Sequence, residues 1–554
     1  MAQINPTVGD IGGNTRLIRE YLKKATESGA DLVAFPEMAV TGYPPLDLLI
    51  PREMRAPAGT RKPAQEEFVR LNKESILDLA KEVQHTTAVV GFVDYDDYHL
   101  FNAAAIINDG RVQSVVHKTL LPTYDVFDEQ RYFTPALTND PVTIANQGER
   151  ISLGTSICED IWDEQIGYGV KVVDALAAHG ARMIVNLNAS PFHAKIREVR
   201  LRILKEKAKR LKVPIFYVNQ VGGQDELVFD GESLAVDSAG QLIGIGKQFQ
   251  EDLVLVDIDL QSGKGIGDEI LPPPYVREQE IFDALVLGVK DYFRKTGFKE
   301  ALVGLSGGID SSLVAVIASQ ALGRQNVTGV SMPSRYSSDH SKSDAKTLAE
   351  NLGIRFLTIP IDQPFTAYLE QLTPYFEGRQ PDVAEENLQA RIRGNILMAF
   401  SNKFGGMVLA TGNKTELALG YATLYGDMSG GLEVIGDVSK TEVYALARYY
   451  NKRAEKAIIP ENCFAKIPSA ELRPNQFDPF DYSVVSPLVD EIIENRLARK
   501  ELIEKGYPAD VVDDTIRRIR GAEYKRRQAA PAIKITRKAF GLGWKMPIVN
   551  RFTN

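Results

Sequence analysis

The chain has 554 residues, of which 44% are hydrophobic and 25% charged, with a formal net charge of -8. That length predicts more than one domain, and the acidic balance argues against a general nucleic-acid or membrane-surface binder. Two cysteines, Cys158 and Cys463, support neither a disulfide framework nor a structural zinc site. No apolar run approaches the ~20 residues that span a bilayer. The first ten residues lack a basic start and an apolar stretch, so the cytoplasm is the expected compartment.

In chain order, amphipathic residues 14–29 predict a helix, and short apolar runs at 31–35 and 88–93 predict buried strands. Residues 52–65, rich in Pro, Arg, Lys and Ala and without periodicity, read as a mobile surface loop. Strands follow at 183–187 and 215–218, a helix at 192–211 and a last strand at 251–262. The pattern is α/β, with two sheets in a sandwich. Three glycines and Pro272-Pro273-Pro274 mark a linker, giving domains 1–262 and 278–554 joined by 263–277. The second half reads as helix 278–296, strand 301–305, helix 311–321 and strands 327–332, 355–361 and 407–410. Strands alternating with helices predict a doubly wound parallel sheet.

Gly304-Leu305-Ser306-Gly307-Gly308-Ile309-Asp310-Ser311 lies between a predicted strand and a predicted helix. Adjacent glycines let backbone N–H groups converge on an anion, aided by the helix N-terminus. Ser306 and Ser311 add hydroxyl donors. Asp310 would repel phosphate, and a Mg2+ bridging its carboxylate to phosphate oxygens resolves that conflict. The plain alternative is a serine-glycine turn with an aspartate cap.

The loop has no lysine in the Walker position. It resembles the ATP-pyrophosphatase (PP-loop, adenine nucleotide alpha hydrolase-like) fold, whose members adenylate an oxygen and release pyrophosphate. Further motifs resemble the NAD synthetase family over residues 278–530: Glu386-Asn387-Leu388-Gln389-Ala390-Arg391, Thr411-Gly412-Asn413-Lys414-Thr415-Glu416, Gly436-Asp437-Val438-Ser439-Lys440, Lys466-Ile467-Pro468-Ser469 and Tyr524-Lys525. The resemblance implies ATP held by residues 304–311 and Thr411, with Asp310 and Glu416 as Mg2+ ligands. It implies deamido-NAD bound by Asn387, Glu416, Tyr421, Ala422, Thr423, Leu424 and Lys525, and Lys440 and Ser469 near the phosphates and the reacting carboxylate. Clustered anionic substrates do require cations and a metal. Taken alone, Glu416 reads equally as a helix N-terminal carboxylate, and Lys440 and Lys525 as surface lysines.

In the first half, three segments each place a polar residue beside a predicted strand end or turn: Ala34-Phe35-Pro36-Glu37, His117-Lys118 with Tyr124 and Glu129 downstream, and Ser156-Ile157-Cys158-Glu159-Asp160. A free thiol is mostly protonated at neutral pH and needs a base to attack an amide. Separately, a buried cysteine is more often inert core. Together the three residues resemble the Glu–Lys–Cys triad of the nitrilase family, with its α-β-β-α sandwich, over residues 1–260. The resemblance implies Glu37 as general base, Lys118 as oxyanion stabiliser, Cys158 as nucleophile and Glu129 as orienting group. Tyr124, Ser190 and Ile196 match glutamine-binding positions; here the register gives Lys195-Ile196, which moves a lysine by one residue. His193 reads as a surface or structural histidine.

The whole chain thus resembles the glutamine-dependent NAD synthetase family. The resemblance implies glutamine, deamido-NAD and ATP as substrates, Mg2+, a shielded ammonia passage and a homo-oligomer, an octamer among the forms. Another amidotransferase of the same ATP fold, or a non-catalytic nucleotide-binding regulator, are the alternatives.

Overall fold

The computed structural model describes residues 1–55, 62–146 and 149–552. Contacts divide the chain into Met1–Gln224 with Val228–Tyr275, and Asp225–Leu227 with Val276–Asn554.

The first unit is built by period-two alternation. Its four-stranded sheet runs in the order β1 (Leu32–Ala34), β2 (Thr87–Tyr95), β3 (Leu100–Asn108), β4 (Arg111–His117). Ala88, Val90 and Phe92 on one face of β2 pack with Ile18, Leu22 and Ile76 of helices α1 (Ile11–Glu27) and α2 (Glu67–Ala80). Val89, on the other face, joins Ala104, Ile106 and residues of a second sheet. That sheet has six strands: β5 (Val142–Asn146), β6 (Glu149–Ile157), β7 (Met183–Asn188), β8 (Ile215–Asn219), β9 (Leu234–Val236) and β10 (Leu242–Ile245). Val185, Leu187 and Val218 face the first sheet. Ile184, Ile215 and Tyr217 face α3 (Val172–Ala178) and α4 (Ile196–Leu211). Strand pleating thus creates three apolar layers between four layers of secondary structure, an α-β-β-α sandwich.

The helix expected over 192–211 begins only at Ile196. Lys195 just before it has φ +70°, a left-handed conformation that cannot continue a helix. The strand expected over 251–262 is two short pieces. Asp252–Leu253 pairs with Ala2–Gln3, and Ile258–Asp259 forms a hairpin with Lys264–Gly265. The Asp259 carboxylate caps that hairpin by accepting from the Gln261 and Ser262 N–H groups. Within the stretch 52–65, short 3-10 turns occupy Arg52–Arg55 and Pro63–Gln65, and residues 56–61 lie outside the described residues.

The second unit holds a five-stranded parallel sheet. Its order is β13 (Arg355–Thr358), β12 (Val327–Ser331), β11 (Ala301–Gly304), β14 (Met407–Ala410), β15 (Leu432–Glu433). Leu302, Val330 and Val408 pack on one face with Phe365 and Ile392, from helices Asp362–Leu372 and Val383–Phe404. On the other face lies α6 (Ile309–Leu322), buried continuously from Ser311 to Ser319, with α5 (Arg277–Thr296) and the helix Lys440–Arg453 beyond it. Chain order reverses between β11 and β14, so a crevice opens at their carboxyl ends, where doubly wound sheets bind ligands. Among the described residues, no helix is long and apolar enough to cross a membrane.

Candidate active sites

In the first unit the three triad candidates sit just past strand ends. Glu37 follows β1, Lys118 follows β4 and Cys158 follows β6. Glu37 reaches its place because β2 carries Gly91: a Cβ there would lie 2.2 Å from Pro36 O. No side chain fits at that crossing. Cys158 opens a 3-10 turn with φ +42°, a strained conformation for a residue with a Cβ. Asp160 pins the turn, accepting from the N–H groups of Ile157 (3.0 Å), Thr119 (3.1 Å) and Leu120 (2.8 Å). One carboxylate therefore fixes the segment after Lys118 and the turn of Cys158 together.

Glu37, Lys118, Glu129 and Cys158 are all buried. The Lys118 ammonium donates to Glu37 Oε1 and Glu129 Oε1, both at 2.8 Å. Asn102 donates to Glu37 Oε1 at 2.6 Å, Tyr43 OH to Glu129 Oε1 at 3.0 Å and Ala189 N–H to Glu37 Oε2 at 3.0 Å. One ammonium between two carboxylates leaves the cluster short of positive charge. Burial pushes Glu129 up to about 7 against the pull of Lys118. Burial also opposes the charge of Lys118, but Glu129 and Glu37 hold it well above an ordinary lysine. Burial, then the charge of Glu37, raises the Cys158 thiol well above its usual range. The resting group is a thiol, and attack requires proton transfer as substrate arrives.

Tyr124 is brought beside this centre through Glu159, which follows Cys158: its OH donates to Glu159 at 3.0 Å, and Tyr168 OH does the same at 3.0 Å. Ser190 adjoins Ala189, and its backbone N–H donates to Asn219 at 3.0 Å. Buried Arg200, paired with Asp230 at 2.7 Å, donates to both the carbonyl and the hydroxyl of Ser190. Ile196 is buried at the start of α4, and its N–H goes to His193 O at 3.0 Å. The His193 ring donates to the adjacent Ala194 O at 3.1 Å.

In the second unit a cavity at the crevice is lined by residues 304–306 and 308–311, with Thr411, Glu416, Tyr421, Ala422, Lys440 and Ser469. Gly307 is absent from its wall. Its φ is +78°, and a Cβ would lie 2.2 Å from Ser341 O, so glycine is required twice over. Ser306 Oγ receives the Gly308 N–H at 3.2 Å and meets Ser311 Oγ at 3.1 Å. Lys440, nearly buried, donates to Asp310 Oδ2 and to Glu416 Oε1, the latter at 3.2 Å. Asn413 caps the helix Lys414–Leu419, accepting from Glu416 N–H at 3.1 Å, and donates to Asp310 Oδ1 at 2.9 Å. Burial pushes the Glu416 carboxyl up to about 7; Lys440 opposes this and Asp310 adds to it. Two carboxylates sharing one ammonium form an oxygen donor set short of positive charge, which fits a hard divalent cation.

Asn387, Thr423, Leu424 and Lys525 do not line the cavity. They gather around the segment that carries Tyr421 and Ala422. Thr423 Oγ1 donates to Asn387 Oδ1 at 2.7 Å, Lys525 to Gly420 O at 2.8 Å and Ala422 O at 2.6 Å, and Leu424 O accepts from Arg391 at 3.3 Å. Ser469 Oγ donates to Gln476 O at 2.6 Å and accepts from Glu471 N–H at 3.2 Å.

Several residues escaped the sequence reading. Asn102 lies in the apolar strand Leu-Phe-Asn-Ala-Ala-Ala-Ile-Ile-Asn, and a lone amide in such a run was its only signal. Tyr43, Glu159 and Asn413 lie inside or next to the recognised motifs. Glu433 closes β15 in the cavity wall, fully buried, with no hydrogen-bond partner for either carboxyl oxygen among the described residues. Burial holds its carboxyl protonated well above the usual range. The unfolded chain ionises this group from about pH 4.5 upward while the folded chain does not, so its contribution to stability falls as pH rises. Glu433→Gln removes that loss. Across pH 5 to 8 its unfolding free energy should fall less steeply than that of wild type, the slopes differing by at most about 1.4 kcal/mol per pH unit. Parallel thermal scans across that range check it, and identical slopes would contradict a protonated Glu433.

Comparison with known proteins covers both units. A carbon-nitrogen hydrolase model matches residues 1–266 and an NAD synthase model residues 281–529. A glutamine-dependent NAD(+) synthetase of Thermotoga maritima is 45% identical, covering 100% of this chain and 98% of its own. One of Synechocystis is 44% identical, with 100% and 98% covered. The solved structure of an Acinetobacter baumannii glutamine-dependent NAD+ synthetase in complex with ADP has TM-score 0.77 at 37% identity, covering 99% of this chain and 98% of that one. Full-length likeness at this identity settles the family: the chain belongs to the glutamine-dependent NAD(+) synthetases.

Proposed function

We infer that this chain makes NAD+ from deamido-NAD and ATP with glutamine as nitrogen donor, releasing glutamate, AMP and pyrophosphate. The observation that carries the reading is the pairing of two centres in one chain: a buried Glu37–Lys118–Cys158 group in a carbon-nitrogen hydrolase unit and a phosphate loop with Asp310, Glu416 and Lys440 in an NAD synthase unit. We assign domain 1–262 to glutamine hydrolysis, 278–554 to synthesis and 263–277 to the connection.

In the first step Glu37 takes the Cys158 proton as sulfur attacks the glutamine carboxamide carbon. Lys118 faces the developing oxyanion. Glu37 returns the proton to the leaving nitrogen, ammonia departs and a thioester remains. Water, deprotonated by Glu37, then cleaves the thioester, and glutamate leaves as the thiol re-forms. Tyr124 and Glu159, with Ser190, are placed to receive the amino-acid end of the substrate. Ile196 can contribute only packing.

In the second unit the N–H groups and hydroxyls of 304–311 hold the ATP phosphates, and Thr411 adjoins the nucleotide. The deamido-NAD carboxylate oxygen attacks the α-phosphorus, pyrophosphate leaves, and ammonia displaces AMP from the acyl carbon. Tyr421 and Ala422 form the wall for deamido-NAD, with Asn387, Thr423, Leu424 and Lys525 holding that segment for the same substrate and Ser469 near the reacting carboxylate. Asp310 and Glu416 would hold Mg2+, which would supply charge neutralisation on the phosphates. Ammonium has no free lone pair, so ammonia must travel unprotonated and shielded. We place this chemistry in the cytoplasm and in a homo-oligomer, an octamer among the forms; the two free cysteines, Cys158 and Cys463, accord with a reducing compartment.

The test is purified full-length protein with glutamine, ATP, Mg2+ and deamido-NAD. NAD+, AMP and pyrophosphate in equal amounts are expected. ATP binding without pyrophosphate release would indicate a regulator instead.

A further inference from the structure

The steps above give the departing pyrophosphate no cationic side chain of its own. Lys440 is committed to Asp310 and Glu416. Arg393 spends its Nε on Met332 O at 2.9 Å. Lys342, also on the wall, pairs with exposed Asp339 at 3.3 Å. Lys466 lines the same cavity, with Ser341 and Glu471 beside it. Its ammonium donates to Ser341 Oγ and to Glu471 Oε1, the latter at 2.6 Å.

Glu471 is saturated with donors. It also accepts from Ser338 N–H at 3.3 Å, Ser338 Oγ at 2.9 Å and Ser341 Oγ at 3.0 Å. Ser338 caps helix α7 (Asp339–Leu352), so a helix N-terminus faces the same carboxylate. Burial opposes the charge, yet these donors hold Glu471 below the usual carboxylate range. The environment is built for an anion.

Two contacts put this anion environment against the phosphate loop. Ser341 O would lie 2.2 Å from a Cβ on Gly307, so the helix start touches the loop directly. The Cys463 thiol donates to Gly307 O at 3.5 Å and fixes the chain three residues before Lys466. Lys466 and Glu471 are partly exposed to the cavity, at 27% and 18% of their side chains, so an exchange of partners requires no unfolding.

We propose that Lys466, with the hydroxyls of Ser338 and Ser341, cradles the β- and γ-phosphates and the departing pyrophosphate, and that Glu471 fills this cradle between turnovers. The proposal rests on the synthetase reading. The balance is simple. The deamido-NAD carboxylate oxygen bonds to the α-phosphorus, and the bond from that phosphorus to the α–β bridging oxygen breaks. Its electron pair stays on that oxygen, which leaves as part of pyrophosphate. No proton moves, and Lys466 meets the added charge. Glu471 then re-enters, competes for the same donors and expels the product.

The experiment uses the full chain with ammonia as nitrogen source, and measures pyrophosphate binding directly by calorimetry alongside turnover. Lys466→Gln should weaken pyrophosphate binding and product inhibition about tenfold and lower kcat/KM for ATP comparably, and Lys466→Arg should restore most of both. Glu471→Gln should tighten pyrophosphate binding about tenfold and lower kcat without raising KM for ATP, because release slows. Pyrophosphate affinity unchanged in Lys466→Gln, or weakened in Glu471→Gln, overturns the proposal. In either case the pair would only tie the segment in place. A wild type that binds pyrophosphate through Lys466 but forms no NAD+ would overturn the synthetase reading alone.

Discussion

Cys158→Ala should abolish glutamine-driven NAD+ formation, by at least about a thousandfold, while ammonia-driven formation stays within about twofold of wild type. Cys158 is the only group at its centre able to form a thioester. Glu37 and Lys118 form an ion pair at 2.8 Å around it and supply base and charge, not a nucleophile. The substitution removes one sulfur from a buried residue at φ +42°, so some strain persists, but alanine is no larger than the side chain it replaces. The synthetase centre lies in the other unit of the chain, with its own cavity and its own charged residues. Parallel assays with glutamine and with ammonium chloride at alkaline pH check the result. Loss of both activities would remove the division of labour. Retention of glutamine-driven activity would remove Cys158 from the chemistry.

That prediction was available from the sequence through the resemblance of three motifs to the Glu–Lys–Cys triad, and in the fold each of the three residues follows a strand. A strand end is where a short apolar run stops and a polar residue begins, and Glu37, Lys118 and Cys158 all occupy such boundaries. The phosphate loop was legible for the same reason: β11 ends at Gly304 and α6 starts at Ile309, leaving the glycines between them. Long-range partners were not legible. Asn102, 65 residues from Glu37, reaches it at 2.6 Å only because β2 and β3 pair in one register. The Glu433 carboxyl gives no pattern at all, since burial without a partner is a property of packing. In the fold, period two found the buried strands but overran at 251–262, where the capped hairpin turn at Asp259 breaks the run. The helix at 192–211 overran in the other direction, because no periodicity records the left-handed φ of Lys195.

Asp310→Asn should lower ammonia-driven kcat/KM by about a hundred- to a thousandfold, raise the Mg2+ concentration needed for half-maximal rate, and leave glutamine hydrolysis unchanged. Asn keeps the shape of the side chain and can still meet Asn413, which donates to Asp310 Oδ1 at 2.9 Å. What it removes is one negative charge from a pair of carboxylates that share Lys440. With that charge gone, Lys440 has only Glu416 as an anionic partner at 3.2 Å and draws it away from a divalent cation. The remaining carboxylate competes poorly with water for a strongly hydrated Mg2+. The burial that pushes Glu416 up to about 7 sharpens the effect near neutrality. When Asp310 is neutral, the like charge that raises Glu416 is lost, so its pKa should fall and the rate of the variant should depend less on pH between 6 and 8 than that of wild type. Rate against Mg2+ concentration at several pH values reads both effects. Asp310 also lies in the first turn of α6, where a carboxylate serves a helix N-terminus without binding any metal. That reading expects a modest loss of stability, an unaltered Mg2+ requirement and nearly normal turnover, and such a result would exclude Asp310 as a ligand.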